Sequence, residues 1–423
     1  MKTPFARACF FNLSPNGGTS THVGDNSKNK PATTTIKWEE EDKIKSINKE
    51  VLSSFQSSDK MFFPPKRVII LTKTTRLQYE LGKHNIRIDQ MHMKSFNTKL
   101  TKHGVNIKEL ENKHLVQSNY VKNVKDVLDQ HNIDVRVVTR DDFTEDLVNW
   151  CDLVISAGGD GTFLTAAAKL RNDIPLLGLN SDFIGSEGHL CVTGKQDISG
   201  AQALKQYLDG KFTWMYRQRI RVTIINPNNN NSLLSCNKPT VSGHDTTSSY
   251  LALNEVFIGE THAAKVSYYE VSVDDGPMIK QKSSGMTVCT GTGSTSWHYN
   301  INRVYEQKLS GIMDVLESMG VDFGVSRSDS AFIEEACKRF NQQLVFEPSY
   351  HQMAFSVRDP VFNATFPHTS PRGFAKKIRI KSRCSDAQLV LDGNQPISFN
   401  QGTEVILEMY PEDALRTASM TFA

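Results

Sequence analysis

The 423-residue chain is long enough for two domains. Its net charge of +3 supplies no basic field of the kind nucleic-acid binding needs, and no apolar run approaches a membrane span. Seven cysteines, at 9, 151, 191, 236, 289, 337 and 384, are odd in number and form no CxxC, which argues against a zinc site or a disulfide framework and for a reducing compartment.

Residues 1–60 differ in composition from the rest of the chain. Up to Lys37 the only acid is Asp25, against Lys2, Arg7, Lys28, Lys30 and Lys37, among many Ser and Thr. That composition fits either an organelle transit peptide or a disordered tail. Pro64-Pro65 then opens the folded region.

Residues 67–71 (RVIIL) read as a first strand, with Lys73-Thr74-Thr75-Arg76 at its C-terminal end, where open α/β sheets place ligands. Lys73 and Arg76 fit a plain loop or a phosphate contact. Residues 77–118 are charged and partly helical. Val121, Val124, Val127 and Leu128 fall at helical spacing; Ile133, Val135 and Val137 alternate as a strand.

The apolar run Leu153-Val154-Ile155 leads into Gly158-Gly159-Asp160-Gly161-Thr162 and then into helix formers from Phe163 onward. Strand, glycine turn and helix in that order let a ligand approach closely, and the free amides at the helix start suit phosphate oxygens. Asp160 inside such a turn would repel a phosphate unless it takes a proton from an attacking hydroxyl or holds Mg2+. A plain turn with Asp160 as a helix cap is the alternative. Residues 174–180 read as a further strand ending in Asn180 at the same sheet edge, and 198–208 as a helix stopped by Gly210. Residues 61–211 therefore read as an α/β nucleotide-binding domain with a Rossmann-like parallel sheet.

From 212 to 423 the pattern is β-rich and sandwich-like. Residues 212–225, 250–258, 265–273 and 279–289 each read as one strand, the last two joined by the turn Asp274-Asp275-Gly276-Pro277. Residues 226–249 read as a mobile Asn/Ser/Thr-rich insert, 303–345 as helical, and 353–357, 377–381, 388–391 and 404–409 as strands. Arg217 and Arg219 alternate along their predicted strand, as a solvated face or with one reaching a site. His189, His262 and His298 have no partner at metal spacing, and Trp214 and Trp297 read as packing residues. Asn254-Glu255, inside an apolar strand, must find partners or face a cleft. Glu255 suits two ribose hydroxyls and Asn254 a base or amide edge, unless both sit on a solvated edge. Thr290 to Thr295 (TGTGST) offers amides and hydroxyls to sugar or phosphate oxygens, or is a surface loop.

The order GGDGT, Asn-Glu, then a Thr-Gly-Ser loop in a β domain resembles that of NAD kinases, over roughly residues 66–415, and is most similar to their animal mitochondrial branch. Lys73 to Arg76, Ser186-Glu187-Gly188-His189-Leu190, Arg217-Gln218-Arg219, Gln281 to Gly285 and Asp392-Gly393 add to the likeness. The resemblance implies the NAD kinase/diacylglycerol kinase-like fold and transfer of a phosphoryl group, from ATP or from inorganic polyphosphate, to the 2'-hydroxyl of the adenosine ribose of NAD. It implies Asp160 as the general base. It places Gly158, Gly159, Gly161, Thr162, Asn180, Asn254, Glu255, Lys265, Lys282, Ser284, Thr292, Gly293, Ser294 and Thr295 around nucleotide and NAD. It implies Mg2+ with ATP, no tightly bound cofactor, no assigned metal ligand, a homodimer or higher homo-oligomer, no nucleic-acid or membrane partner, and a mitochondrial location, otherwise a cytoplasmic one. Three positions depart from the family pattern: Ser284 stands for an Asp, Gly291 for a Pro, and Ser296-Trp297 for Ala-Tyr. Lipid kinases of the diacylglycerol or sphingosine type share the GGDGT turn, but the Asn-Glu pair and the Thr-Gly-Ser loop argue against them. A non-catalytic nucleotide-binding protein of the same fold is the remaining alternative, against which Asp160 speaks.

Overall fold

The computed structural model describes residues 64–90, 94–102, 104–171, 173–183, 185–194, 198–225, 247–324 and 329–420. The tail 1–60 and the bulk of the 226–249 insert lie outside the described residues.

In chain order the first half holds β1 (Arg67–Thr72), α1 (Arg76–Lys83), α2 (Lys94–Lys102), α3 (Ile107–Gln130), β2 (Asp134–Val138), α4 (Glu145–Trp150), β3 (Leu153–Ala157), α5 (Asp160–Ala167), β4 (Leu176–Leu179) and α6 (Gly200–Leu208). The helix read from Tyr120 to Gln130 ends as expected but starts much earlier, at Ile107, where Asn106 caps it through the Glu109 amide. β1 to β4 pair in parallel in the order β2-β1-β3-β4. Direction of winding reverses between β1 and β3, so the crevice at their C-terminal ends is the switch point where such sheets take ligands. Lys73 follows β1 there and Gly158 follows β3. Ile69, Leu71 and Val154 pack against Phe143 and Val148 around α4 and against Phe163 and Ala166 on α5, which fixes where α5 begins.

The second half holds β5 (Thr213–Arg217), β6 (Ile220–Ile225), β7 (Thr247–Ala252), β8 (Glu255–Glu260), β9 (Ser267–Val273), β10 (Ile279–Ser283), β11 (Met286–Cys289), α7 (Trp297–Asn302), α8 (Glu306–Ser318), α9 (Ser330–Gln342), β12 (Met353–Val357), β13 (Arg372–Ala375), β14 (Lys377–Ser382), β15 (Ala387–Leu391), β16 (Gln395–Ser398), β17 (Glu404–Met409) and β18 (Leu415–Ser419). Two antiparallel sheets, β10-β9-β14-β17-β6-β7 and β13-β12-β11-β8-β15-β16, share one core. Val222 and Ile380 of one sheet meet Val256 and Val288 of the other. β18 and β5 complete the first sheet beyond β4, so the chain returns to the α/β layer twice after residue 212. α8 and α9 pair through Met313, Ile333 and Cys337.

Three runs expected as single strands are each broken in two, and the halves lie in different sheets. Residues 212–225 divide into β5 and β6 at Gln218-Arg219. Residues 250–258 divide into β7 and β8 at Leu253-Asn254, and β7 begins at Thr247, so the end of the expected loop is strand. Residues 279–289 divide into β10 and β11 at Ser284-Gly285, where Gly285 has a φ of 113°. Each break carries polar groups that a continuous ladder would have stranded in the core. The β9–β10 hairpin forms as expected, with Asp274 and Asp275 in left-handed conformation.

Candidate active site

The glycine turn is shaped by close approach. A Cβ on Gly158 would lie 2.3 Å from the Thr162 Oγ1, and one on Gly159 would lie 2.3 Å from the Ser186 Oγ. Gly161 faces open space. Asp160 is the first residue of α5 and does not cap its own helix. Instead its Oδ1 accepts the Leu190 amide at 2.8 Å and its Oδ2 the His189 amide at 3.1 Å. The carboxylate is therefore oriented by the 185–194 segment, and each oxygen keeps a lone pair for another donor. Asn180 builds that segment. Its Nδ2 donates to the Ser186 and Gly194 carbonyls, its Oδ1 accepts the Asp182 amide, and its own amide donates to Thr193. With its side chain so engaged, Asn180 shapes the crevice rather than offering a free edge. Lys73 forms an ion pair with Asp182 at 3.1 Å beside it, while Arg76 pairs with Glu80 along α1.

On the β side, Asn254-Glu255 and the Thr-Gly-Ser loop form one unit. The Asp392 carboxylate accepts the amides of Leu253, Asn254 and Glu255 at 2.8, 2.7 and 3.1 Å, which turns the chain out of β7 and into β8. Thr290 donates its amide to the Asn254 carbonyl and its hydroxyl to that of Leu253. A Cβ on Gly293 would lie 2.1 Å from the Asn254 carbonyl oxygen, so only glycine lets the loop pack there. The Asn254 Oδ1 and the Glu255 Oε2 are shielded from solvent and have no hydrogen-bond partner among the described residues. Burial and the neighbouring Asp392 push the Glu255 carboxyl up to about 7, with a bond from Ser296 opposing.

Not every candidate joins this unit. Ser294 is fully buried and tied to the Gly291 carbonyl and the Phe346 amide, and Thr295 is exposed. Lys265 is exposed in the β8–β9 turn, and Lys282 lies over the Tyr268 ring at 5.3 Å; among the described residues neither side chain bonds to either turn. Ser284 marks the β10–β11 break, its amide donating to Arg358. His298 is buried against Ser356, and burial lowers its imidazole to about 4, which fits a packing role. Trp214 packs on Phe212 and Tyr207 as expected, whereas Trp297 is 48% exposed beside Phe257.

The Asp392-Gly393 turn is visible in the sequence, but the task of Asp392 is not; an Asp before Gly is a common surface turn, and nothing local reveals which amides it will take. The role of Arg217 is equally open on sequence grounds. The strand break separates Arg217 from Arg219, which donates to the Ala167, Leu170 and Asp413 carbonyls. Arg217 instead reaches the Thr292 Oγ1 at 3.4 Å, within the influence of the Asp160 charge. The glycine turn and the Thr-Gly-Ser loop thus approach a common side chain.

Similarity to known proteins agrees with this geometry. A family model described as the ATP-NAD kinase N-terminal domain matches residues 69–212. The chain is 36% identical over 377 residues to "NAD kinase 2, mitochondrial" of Homo sapiens, covering 84% of each protein. It is 36% identical to the protein of that name from Rattus norvegicus, covering 84% of this chain and 88% of the relative. For the Xenopus tropicalis relative the identity is 36%, covering 84% and 91%. With the glycine turn, the Asn-Glu pair and the Thr-Gly-Ser loop assembled as described, the chain belongs to the NAD kinase family.

Proposed function

We propose that this protein is an NAD kinase that transfers the terminal phosphoryl group of ATP to the 2'-hydroxyl of the adenosine ribose of NAD, giving NADP. The observation that carries the reading is Asp160, an acid inside a phosphate-type glycine turn whose carboxylate is aimed by two amides outside its own helix. Phosphoryl transfer asks chiefly for alignment and charge neutralisation. Asp160 takes the hydroxyl proton. The amides of the glycine turn, at the start of α5, hold phosphate oxygens. Glu255 accepts ribose hydroxyls, and Asn254 offers its buried carbonyl to an amino group of the ligand. Thr292 and the amides beside it close the β side of the cleft. Mg2+ arrives with ATP and shares the charge of its phosphates.

The Thr-Gly-Ser loop, packed on the Asn-Glu turn, supports a dinucleotide rather than a lipid acceptor. The names of the relatives support a mitochondrial location, and resemblance to the family supports a homodimer or higher homo-oligomer. Whether polyphosphate replaces ATP is a matter of the donor side, which the same assay reads.

The test is NADP formation from NAD and Mg2+ with ATP or polyphosphate, with Asp160→Asn alongside. The variant should lose about hundredfold or more in turnover while NAD still binds. In the asparagine one of the two accepting oxygens becomes an NH2 donor facing the His189 or Leu190 amide, so the variant's melting temperature is recorded too. Unchanged turnover in a folded variant would remove Asp160 from the chemistry, and no NADP from the wild type would remove the reading itself.

A further inference from the structure

Three arginines lie along the crossing from β5 to β6, and two are fully engaged. Arg219 spends its guanidinium on three carbonyls, and Arg221 pairs with Asp413 and Glu412. Arg217 is different. Its Nε is shielded from solvent without a hydrogen-bond partner among the described residues, and its one bond there is the 3.4 Å contact from Nη1 to the Thr292 Oγ1. No carboxylate pairs with it among the described residues; the Asp160 oxygens accept the His189 and Leu190 amides, each keeping a lone pair. Burial pulls the guanidinium down to about 10, with Asp160 and Cys191 opposing, so it remains a cation at neutral pH. A half-buried guanidinium with a shielded, unpartnered Nε is costly unless an anion completes it, and its planar fork matches the paired oxygens of a phosphate or a carboxylate.

Its neighbours narrow the choice of anion. Asp160, on one side, is the proposed base on the ribose 2'-oxygen. Thr292, on the other, belongs to the loop packed on the Asn-Glu turn. We propose that Arg217 binds the phosphoryl group in flight and then, as a 2'-phosphate, on the product; this rests on the NAD kinase reading. In the step, the 2'-oxygen forms its bond to phosphorus as the bond from phosphorus to the bridging oxygen breaks. The hydroxyl proton passes to the Asp160 carboxylate, and the bridging oxygen leaves with its electron pair on ADP. Arg217 neither gains nor loses a proton. It donates to the oxygens whose charge is redistributed.

The test separates product from substrate. Binding of NAD and of NADP to the full chain is measured by calorimetry for wild type, Arg217→Met and Arg217→Lys, with turnover and melting temperature alongside. Arg217→Met should lose about tenfold or more in NADP affinity with NAD affinity held within about twofold, because only NADP carries the phosphate. Turnover should fall by about hundredfold or more, and Arg217→Lys, which keeps the charge but not the fork, should recover part of both. Equal losses for NAD and NADP, or no loss for either, would overturn the assignment. If Arg217→Met does not fold, the Lys variant decides alone: an unchanged NADP-over-NAD preference counts against the proposal. A wild type that makes NADP while the variants keep its preference sinks only the Arg217 inference. A wild type that neither binds NAD nor makes NADP sinks the underlying reading with it.

Discussion

Glu255 shows what burial does to a single carboxyl in the proposed binding site. The residue is 5% exposed, and burial with the Asp392 charge pushes its carboxyl up to about 7. In the unfolded chain it would titrate near its ordinary value of 4.5. Between those two pH values the folded form holds a proton that the unfolded form has lost, so this group makes stability fall as pH rises across the window and then level off. Glu255→Gln should therefore gain stability relative to wild type from about pH 5 to pH 7, with a ceiling of about 3 kcal/mol. Ribose hydroxyls donate to the ionised form, so NAD must expel that proton to bind below pH 7. We expect NAD affinity to weaken as pH drops below about 7, by at most about tenfold per pH unit, with proton release on binding. Calorimetry at pH 6, 7 and 8, in buffers of different ionisation enthalpy, reads both. A flat wild-type profile would remove Glu255 from the ribose contact.

At the scale of elements, the proposed site lies where strands break. The breaks at Gln218-Arg219, Leu253-Asn254 and Ser284-Gly285 each move the chain from one sheet to another, and the first two lie beside the proposed site residues Arg217, Asn254 and Glu255. Asp392 is the agent of the second break. It sits in a turn with φ of 49° and holds three amides that neither β7 nor β8 can use. Asp392→Ala should leave those amides unpaired in the interior and cost about 2–4 kcal/mol, while NAD affinity falls more than stability does because Asn254 and Glu255 lose their common anchor. Thermal melts beside NAD titrations check this; a variant with wild-type NAD affinity would show that the turn holds itself. The same breaks mark how far the sequence could be read. Apolar alternation named the strand-forming stretches correctly, since Val222, Ile224, Val256, Ile258, Met286 and Val288 all enter one core. It could not show that these stretches bend, because the partners that bend them lie far away in sequence: Asp413 for Arg219 and Asp392 for Asn254. The glycine turn was legible because its strand, glycines and helix are contiguous. Arg217 was not, because its neighbours Asp160 and Thr292 are distant in the chain.

The whole molecule is tied together by its C-terminal strand. β5 leaves the α/β half and would be an unpaired edge were it not for β18, its only partner in the first sheet among the described residues, which also pairs with β4. Leu415 at the start of β18 is 1% exposed and belongs to the same core as Phe163 and Ala166 of α5, the helix that begins with Asp160. Just before it, Asp413 supplies the carbonyl for Arg219 and the carboxylate for Arg221. Arg219 in turn holds the Ala167 and Leu170 carbonyls at the end of α5. One segment thus closes the parallel sheet, anchors the β5–β6 crossing that presents Arg217, and fixes the far end of the helix that carries Asp160. Leu415→Ala should cost about 2–4 kcal/mol through the cavity it leaves. Removing residues 411–423 takes away the strand, the core residue and both arginine anchors together, so their effects compound and the chain should lose its cooperative unfolding transition. Circular dichroism melts of the two variants beside wild type test this directly. A truncated chain that melts as sharply and as high as the full one would mean that the α/β sheet is complete without β18, and that the link drawn from the C-terminus to Asp160 does not hold.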